Sequence, residues 1–368
     1  MGARQRMTRR RFLKATGTAS AGLAVGVTRP MVVYAQTKKD IKFTLPWLAE
    51  GSNLVAYIAK ANGYWAKHGI TVEIARGFGS NAAAQAIGSA QFDFGICSAP
   101  AGILQQAKGL PLAQIASCGY DATMGIGILA DGPIKSPKDL EGRDMASVVQ
   151  SGEFPFLPAY AELAGFDLSK VKIAQVDNKV RDRLLAEKKV DAISGYASSA
   201  MPSYVATGTK ARFLMFSDVG MTMYNNTLMT QPGRLTAEPE LCAAMAEGLM
   251  QAHKFVLMEP EETAKIFFKE VPEMALAAQG REQTRVGIGI YRYQAVKETA
   301  KTNGLGYADP KGYEYMTDLV MKYIAKEGEK RPAVADMLTN KFVGGVTLSD
   351  AEWATANKGL DEFKGYLS

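Results

Sequence analysis

Short apolar runs alternate with amphipathic stretches of roughly 10 to 15 residues from Ile41 onward, a pattern typical of βαβ units around mixed or parallel sheets. From Glu238 the pattern is helical almost to the end of the chain. The sequence therefore predicts an α/β fold whose strands lie in the first two thirds. The predicted strands are Ile41–Leu45, Thr71–Ile74, Asp93–Cys97, Gly125–Leu129, Met145–Val148, Val171–Val176, Ala192–Ser194, Arg212–Phe216 and Asn226–Thr230.

Two of the helices between these strands have clear start or stop signals. Leu54–Lys67 is predicted as one helix, capped by Ser52 or Asn53 and followed by Gly69, which favours the left-handed backbone that ends helices. Asn81–Ile87 is predicted as a shorter helix after a glycine-rich loop.

Two distant segments, Ala86–Asp93 and Leu184–Asp191, resemble each other. Each contains the end of a helix, a short polar link and an aspartate at the start of an apolar strand. This internal similarity supports two halves of similar structure, although short matches of this kind also arise by chance.

The N-terminus contains the parts of an export signal in their usual order. Thr8–Lys14 holds consecutive arginines, and the small-residue stretch 15–27 that follows is too short and too weakly apolar to span a bilayer. Val33–Ala35 fits the cleavage pattern of a signal peptidase. We therefore predict that residues 1–35 are a twin-arginine signal peptide, cleaved near Ala35, that directs the protein to the periplasm.

Most of the net positive charge belongs to that segment. Seven of the 43 Lys and Arg residues lie in residues 1–35, which leaves 36 against 37 Asp and Glu in the mature chain. A nearly neutral chain has little attraction for nucleic acid or anionic lipid, so we expect neither as a partner. The mature chain is longer than one hydrophobic core usually supports, which favours two domains.

The cysteines and histidines stand far apart in the sequence: Cys97, Cys118, Cys242, His68 and His253. Their spacing suggests no metal site, and we predict no metal and no cofactor. Three cysteines allow at most one internal disulfide, which the sequence leaves open. No cysteine stands at the signal junction to accept a lipid, so we expect a protein free in the periplasm and not embedded in the membrane.

Several motifs follow one another between Ile41 and Phe216, and together they resemble one known family. They are Tyr57–Ile70 with Val72–Ile74, Phe92–Ile96, Ala107–Pro111, Ile134–Gly142, Leu163–Val171 and Val190–Ala192. Their order is similar to that of the periplasmic solute-binding proteins of ABC importers, in the group that binds nitrate, sulfonates, taurine and thiamine-pyrimidine precursors.

That resemblance implies a two-lobed periplasmic binding protein of type II, each lobe a mixed sheet flanked by helices. One lobe would comprise residues 36–130 and 226–368 and the other residues 131–225, joined by two crossing strands. A small-molecule ligand would bind in the cleft, and the protein, expected to be a monomer, would deliver it without chemistry to an ABC permease in the inner membrane.

Loops expected to face the cleft contain twelve candidate ligand-binding residues. The Gly-rich loop Gly77–Asn81 enters a helix and could hold an oxygen-rich or anionic group, although helix capping by Ser80 or Asn81 is an equal alternative. Trp47 is expected to be the main aromatic contact because it follows the first strand directly. The candidates are Trp47, Asn53, Phe78, Gly79, Ser80, Asn81, Ser98, Ser151, Glu153, Phe154, Tyr196 and Tyr224.

Three charged residues bear on the ligand class. A carboxylate at Glu153 would favour a ligand with an N–H donor over a bare anion, with a surface helix cap as the alternative. Lys179 and Arg181 could supply positive charge to a carboxylate or sulfonate, although solvation on a helix face is the expected role of Arg181. We predict an organic sulfonate, carboxylate or pyrimidine-like ligand in preference to nitrate.

Two other functions use similar folds. A sensor that presents a bound solute to a membrane receptor is not distinguished by the sequence. The enzymes that make the thiamine pyrimidine would require a histidine after the third strand, where Ser98–Ala101 stands, and a cysteine-rich run that is missing from this sequence. We therefore expect a binding protein and not an enzyme.

Overall fold

The computed structural model describes residues 39–367, so the predicted signal peptide and its cleavage near Ala35 lie outside the described residues. Within this range the strands form two five-stranded mixed sheets flanked by helices, which confirms the predicted fold class. The strands are β1 Lys39–Thr44, β2 Ile70–Ala75, β3 Phe94–Cys97, β4 Ala113–Gly119, β5 Met124–Leu129, β6 Asp144–Ser147, β7 Lys172–Gln175, β8 Ala192–Tyr196, β9 Ala211–Met215 and β10 Asn225–Thr230.

Helices lie between the strands and make up most of the chain after β10. Among the described residues, no helix is both long enough and apolar enough to cross a bilayer. The helices are α1 Val55–Ala61, α2 Ser80–Gly88, α3 Ala99–Ala107, α4 Leu157–Ala164, α5 Arg181–Ala186, α6 Ala197–Thr207, α7 Pro232–Ala237, α8 Pro239–Met258, α9 Pro260–Glu270, α10 Pro272–Leu276, α11 Gly280–Ala295, α12 Glu298–Asn303, α13 Pro310–Tyr323, α14 Val334–Met337, α15 Asp350–Asn357 and α16 Asp361–Gly365.

The two sheets repeat the same strand arrangement. The first sheet has the order β2-β1-β3-β10-β4, and the second has the order β7-β6-β8-β5-β9. In each sheet the first three strands are parallel and the fourth runs antiparallel to both of its neighbours. In both sheets the antiparallel strand, β10 or β5, is the strand that directly follows a crossing from the other sheet.

The two segments that resemble each other in sequence occupy equivalent positions in these sheets. Asp93 precedes β3 and accepts a hydrogen bond from the Lys42 N–H of β1 at 2.8 Å. Asp191 precedes β8 and accepts one from the Asp144 N–H of β6 at 3.1 Å. In each lobe, therefore, the aspartate fixes the start of the third strand against the first.

The chain crosses between the sheets twice, from β4 to β5 and from β9 to β10. The sequence boundary after residue 130 placed the strand Gly125–Leu129 in the first lobe. β5 instead pairs with β8 and β9 of the second sheet, so the first crossing comes earlier, between Gly119 and Met124. An apolar strand carries no sequence signal for the sheet that it will join.

The predicted helix Leu54–Lys67 is interrupted. α1 ends at Ala61 because Gly63 takes a left-handed backbone with φ 70°, and a short 3₁₀ turn follows at Ala66–His68. Neither Ser52 nor Asn53 caps α1, since Leu54 occupies the N-cap position without a side-chain hydrogen bond.

Sequence analysis did not predict β4. β4 consists of small and polar residues mixed with a single isoleucine, and every one of its residues is buried. Without alternation of apolar and polar residues, nothing in its sequence separates it from a loop.

The C-terminal helices contact both lobes and not only the first. Val286 and Ile290 of α11 share a core with Ile193 of β8 and with Phe363 of α16. Tyr313 of α13 lies in a second core that includes residues of β5 and β6. The region after β10, expected to belong to lobe 1, therefore packs against both sheets.

All three cysteines are free and buried: Cys97, Cys118 and Cys242. Burial raises the pKa of the Cys118 thiol to about 12 and that of Cys242 to about 11, and it raises the pKa of Cys97 as well. Buried, protonated thiols react slowly with thiol reagents.

We therefore expect no thiol to react with a colorimetric disulfide reagent in the native protein. All three should react after unfolding in guanidinium without reductant. Counting released thiolate in both conditions tests this, and a single reactive thiol after unfolding would instead show that a disulfide forms.

Candidate functional site

A narrow pocket with a cavity volume of about 20 Å³ lies between the two sheets, beside residues that follow β1, β2, β6 and β8. The ends of parallel strands are where α/β folds usually bind ligands, because loops and helix N-termini meet there. The lining residues are Pro46, Trp47, Asn53, Ser80, Ser151, Arg181, Tyr196, Ser198, Ser199, Asn225 and Asn226.

Five of the twelve predicted residues line this pocket. Trp47, which follows β1, is 7% exposed and supplies the aromatic wall. The others supply hydroxyl and amide groups, and they come from both lobes: Asn53, Ser80, Ser151 and Tyr196.

Tyr196 is packed tightly against the residues of the other lobe. A Cβ atom on Gly152 would lie 2.2 Å from the Tyr196 hydroxyl oxygen and 3.0 Å from both Ser80 Cβ and Ser98 Oγ. Only glycine allows these groups to meet so closely. Burial raises the pKa of Tyr196, and the carboxyl of Glu153 adds to that effect, so its hydroxyl remains neutral.

The first turn of α2 connects the lobes directly. The Asn81 N–H donates to Gln150 O at 3.2 Å, and Asn81 Nδ2 donates to Ser151 O at 2.8 Å. Gly79 has φ 131°, and a Cβ atom there would lie 2.0 Å from Gln150 O. Neither Ser80 nor Asn81 caps α2 through its side chain. Both side chains instead make contacts that link separate segments, since Ser80 Oγ accepts the Ser98 N–H at 3.2 Å.

Arg181 is the buried cation of the pocket. Its side chain is 1% exposed, Nε donates to Asp182 Oδ1 at 2.7 Å, and the guanidinium carbon lies 5.0 Å from the centroid of the Trp47 ring. Burial opposes its charge, but Asp182 and Glu153 outweigh burial, so the pKa of Arg181 is raised and the group stays charged. The solvated position expected for Arg181 is wrong, because α5 begins against the pocket wall. Lys179 is exposed and does not line the pocket.

Glu153 lies wholly buried beneath the pocket, which rules out the surface cap that was the alternative. Its Oε1 accepts a hydrogen bond from Ser194 Oγ at 3.0 Å, and its Oε2 accepts one from Ser151 Oγ. Burial raises the pKa of Glu153, while Arg181 acts in the opposite direction. Because both oxygens already hold protein donors, Glu153 supports the floor of the pocket and does not present a free carboxylate.

Four buried polar atoms in or beside the pocket have no hydrogen-bond partner that meets the distance and angle limits within residues 39–367. Arg181 Nη2 and the Tyr196 hydroxyl oxygen belong to lining residues, and Ser98 Oγ and Asn81 Oδ1 lie behind the lining. Leaving a buried polar group unpaired costs free energy, and such groups in a native fold usually mark a ligand or water position. The pocket therefore offers unpaired polar atoms to a ligand or to water, and Arg181 Nη2 is a charged donor.

Three predicted residues lie away from the pocket. Phe78 is 56% exposed and stacks under the Arg76 guanidinium, whose carbon lies 4.3 Å from its ring centroid. Phe154 packs against the core of the second lobe. Tyr224 packs edge to face on Tyr120, with ring centroids 5.5 Å apart.

Besides Arg181, the predicted set missed five lining residues: Pro46 directly before Trp47, Ser198 and Ser199 at the start of α6, and Asn225 and Asn226 at the start of β10. Asn226 has φ 52°, a left-handed backbone that is uncommon outside glycine and concentrates at functional sites. Two consecutive amides opening an otherwise apolar strand were the available signal for the second pair.

Within the described residues, no group of three or more His, Cys, Asp or Glu side chains is placed to hold a metal ion. His253 is wholly buried, its Nδ1 lies 2.6 Å from the Tyr291 hydroxyl, and burial lowers its pKa to about 3. It belongs to the core of the first lobe and does not line the pocket.

The sequence and the fold of this chain are both similar to those of known proteins. The family model described as NMT1/THI5 like matches residues 52–263. The formylaminopyrimidine-binding protein of Halalkalibacterium halodurans is 21% identical over 236 residues, which are 64% of this chain and 72% of that protein. The riboflavin-binding protein RibY of Chloroflexus aurantiacus is 22% identical over 256 residues, 69% of this chain and 72% of that protein.

Among solved structures, the alkanesulfonate-binding protein SsuA of Xanthomonas axonopodis pv. citri, bound to MOPS, is similar with a TM-score of 0.62 and 15% identity. The likeness covers 82% of this chain and 98% of that one, and it shows a shared fold. With the family match extending over more than half of its length, the chain belongs to the NMT1/THI5-like family and has the fold of the periplasmic solute-binding proteins.

Proposed function

We propose that the protein binds a small organic solute in the pocket between its lobes and delivers it to the permease of an ABC importer. The observation that carries this proposal is the buried guanidinium of Arg181 in the pocket lining, whose Nη2 has no hydrogen-bond partner within residues 39–367 and whose carbon lies 5.0 Å from the centroid of the Trp47 ring. Such a site binds and orients a ligand but contains no group activated for chemistry.

The pocket must widen to admit a solute, and its lining favours one with a negatively charged group and a flat or alkyl body. The charged group would meet Arg181 Nη2, and the body would lie against the Trp47 ring. Sulfonates, carboxylates and acidic pyrimidine-like compounds have both parts. Nitrate has only the first, and it has no body to lie against the Trp47 ring.

Delivery to a permease requires the protein to lie outside the inner membrane. We propose that the twin-arginine signal in residues 1–35 exports it to the periplasm, where it acts as a monomer.

Glu50 contacts the lining residue Asn53, and we expect it to make solute binding depend on pH. It is partly buried, and its Oε1 accepts hydrogen bonds from Ser52 Oγ at 3.2 Å and Asn53 Nδ2 at 3.3 Å. Burial raises the pKa of Glu50 to about 8, Asp182 of the other lobe adds to the rise, and a hydrogen bond with Ser199 opposes it. At neutral pH Glu50 is therefore largely protonated, which lowers the negative charge that an anionic solute would meet.

A thermal-shift screen of the mature protein tests the proposed function. An organic sulfonate, carboxylate or pyrimidine-like acid should raise the melting temperature by several degrees, because a ligand at 100 times its Kd adds about 2.7 kcal/mol to the free energy of unfolding. Stabilisation by nitrate or bicarbonate alone would contradict the proposal.

The variant Trp47→Ala should abolish the shift caused by whichever organic acid stabilises the wild type. Trp353→Ala is the matched control, since Trp353 is a partly buried tryptophan of α15 outside the pocket lining. An unchanged shift in Trp47→Ala would remove Trp47 from the site.

The variant Arg181→Met should lose binding of organic acids by at least tenfold, as measured by isothermal titration. Arg292→Met is its control, because Arg292 is also buried but donates to the main-chain oxygens of Leu257 and Ala356 away from the pocket. Retained affinity in a folded Arg181→Met protein would show that the ligand is not held through a negative charge.

The pH dependence of stability should change in Glu50→Gln. A carboxyl whose pKa is higher in the folded than in the unfolded state stabilises the fold at low pH, and this contribution falls as pH rises from about 4.5 towards about 8. Relative to wild type, Glu50→Gln should therefore become more stable with each step between pH 5 and 8. Melting curves across this range test this, and a constant difference would contradict it.

A further inference from the structure

A chain of hydrogen bonds runs from α11 through the first crossing segment to the start of α6. Gln294, near the end of α11, donates from Nε2 to Asp121 O at 2.7 Å and to Thr123 Oγ1 at 3.1 Å, and its main-chain oxygen accepts the Tyr120 N–H at 3.1 Å. The residues between β4 and β5 are therefore held by one buried side chain of a C-terminal helix.

Thr123 also accepts hydrogen bonds from the first turn of α6. Its main-chain oxygen accepts the Ala197 N–H at 2.8 Å, and its Oγ1 accepts the Ser198 N–H at 3.2 Å. These are the first two amides of α6, whose own N-cap residue Tyr196 supplies no side-chain hydrogen bond. Thr123, which is distant in sequence, thus supplies the capping hydrogen bonds that the N-cap residue of α6 does not.

The backbone of Thr123 is itself unusual. It has φ 47°, in the left-handed region, and a β-branched residue there is a rare and costly conformation. Such a conformation persists only where the surrounding contacts determine it, and Thr123 is 1% exposed with partners on three sides.

We propose that Thr123, held by Gln294, is a positioning residue. It fixes the first crossing between the lobes and, through the first turn of α6, the location of Ser198 and Ser199 at the pocket. Its importance for solute binding rests on the proposed function, whereas its effect on the first crossing and on α6 does not.

The test uses the protein without added solute. Spin labels at Glu73→Cys and Lys172→Cys, exposed positions on the edge strands β2 and β7, report the distance between the lobes, since the three native cysteines are buried. Hydrogen–deuterium exchange reports the amides at the start of α6. Thr123→Val keeps the size and branching of the side chain but removes the acceptor oxygen.

Thr123→Val should broaden the interlobe distance distribution and accelerate exchange at the start of α6 about tenfold, whereas Thr123→Ser should restore both. Thr263→Val is the matched control. Thr263 is wholly buried in α9, and its Oγ1 has no hydrogen-bond partner among the described residues, so the same change should leave both measurements at their wild-type values.

Indistinguishable results for Thr123→Val and Thr263→Val would overturn the proposal. If Thr123→Val does not fold, Gln294→Leu serves in its place, because it removes the donor to Thr123 while leaving the cap on α6, and it should broaden the distances without the tenfold change in exchange. Because no solute is needed, failure of the ligand screen would not affect either measurement.

Discussion

The structure of the pocket depends on keeping the Arg181 guanidinium charged while it is almost completely buried. An unpaired charge in a protein interior costs several kcal/mol, so the surrounding residues must compensate it. Asp182 does so directly, and Glu153 does so from below the pocket while its oxygens bind Ser151 and Ser194. The arrangement leaves Nη2 free within residues 39–367, next to the Trp47 ring of the opposite lobe.

The fold supplies this arrangement through repetition. The two sheets have the same strand order, and in each of them the antiparallel strand follows a crossing from the other sheet. The loops after the parallel strands of the two sheets therefore face one another across the crossing segments. Asp93 and Asp191 mark the equivalent positions in the two halves. The lobes then meet through the main chain, where the first turn of α2 binds the carbonyl oxygens of Gln150 and Ser151.

Sequence reasoning predicted the strands with clear apolar runs and the fold class, because these depend on local pattern. It also selected Trp47, which lines the pocket, from its position directly after the first strand. It missed β4, whose small buried residues show no alternation. It also misplaced Arg181, since a charge at the start of a helix looks the same whether the helix faces solvent or a pocket. Ser199 and Asn226 depend on how the two crossings bring distant segments together, which local sequence does not encode.

A crystal structure of the mature protein, grown with the organic acid that stabilises it most, tests the central claim most directly. The account predicts a ligand whose charged group lies within hydrogen-bond distance of Arg181 Nη2 and whose body lies against the Trp47 ring. A ligand bound outside this pocket, or inside it with a neutral group facing Arg181, would contradict the account.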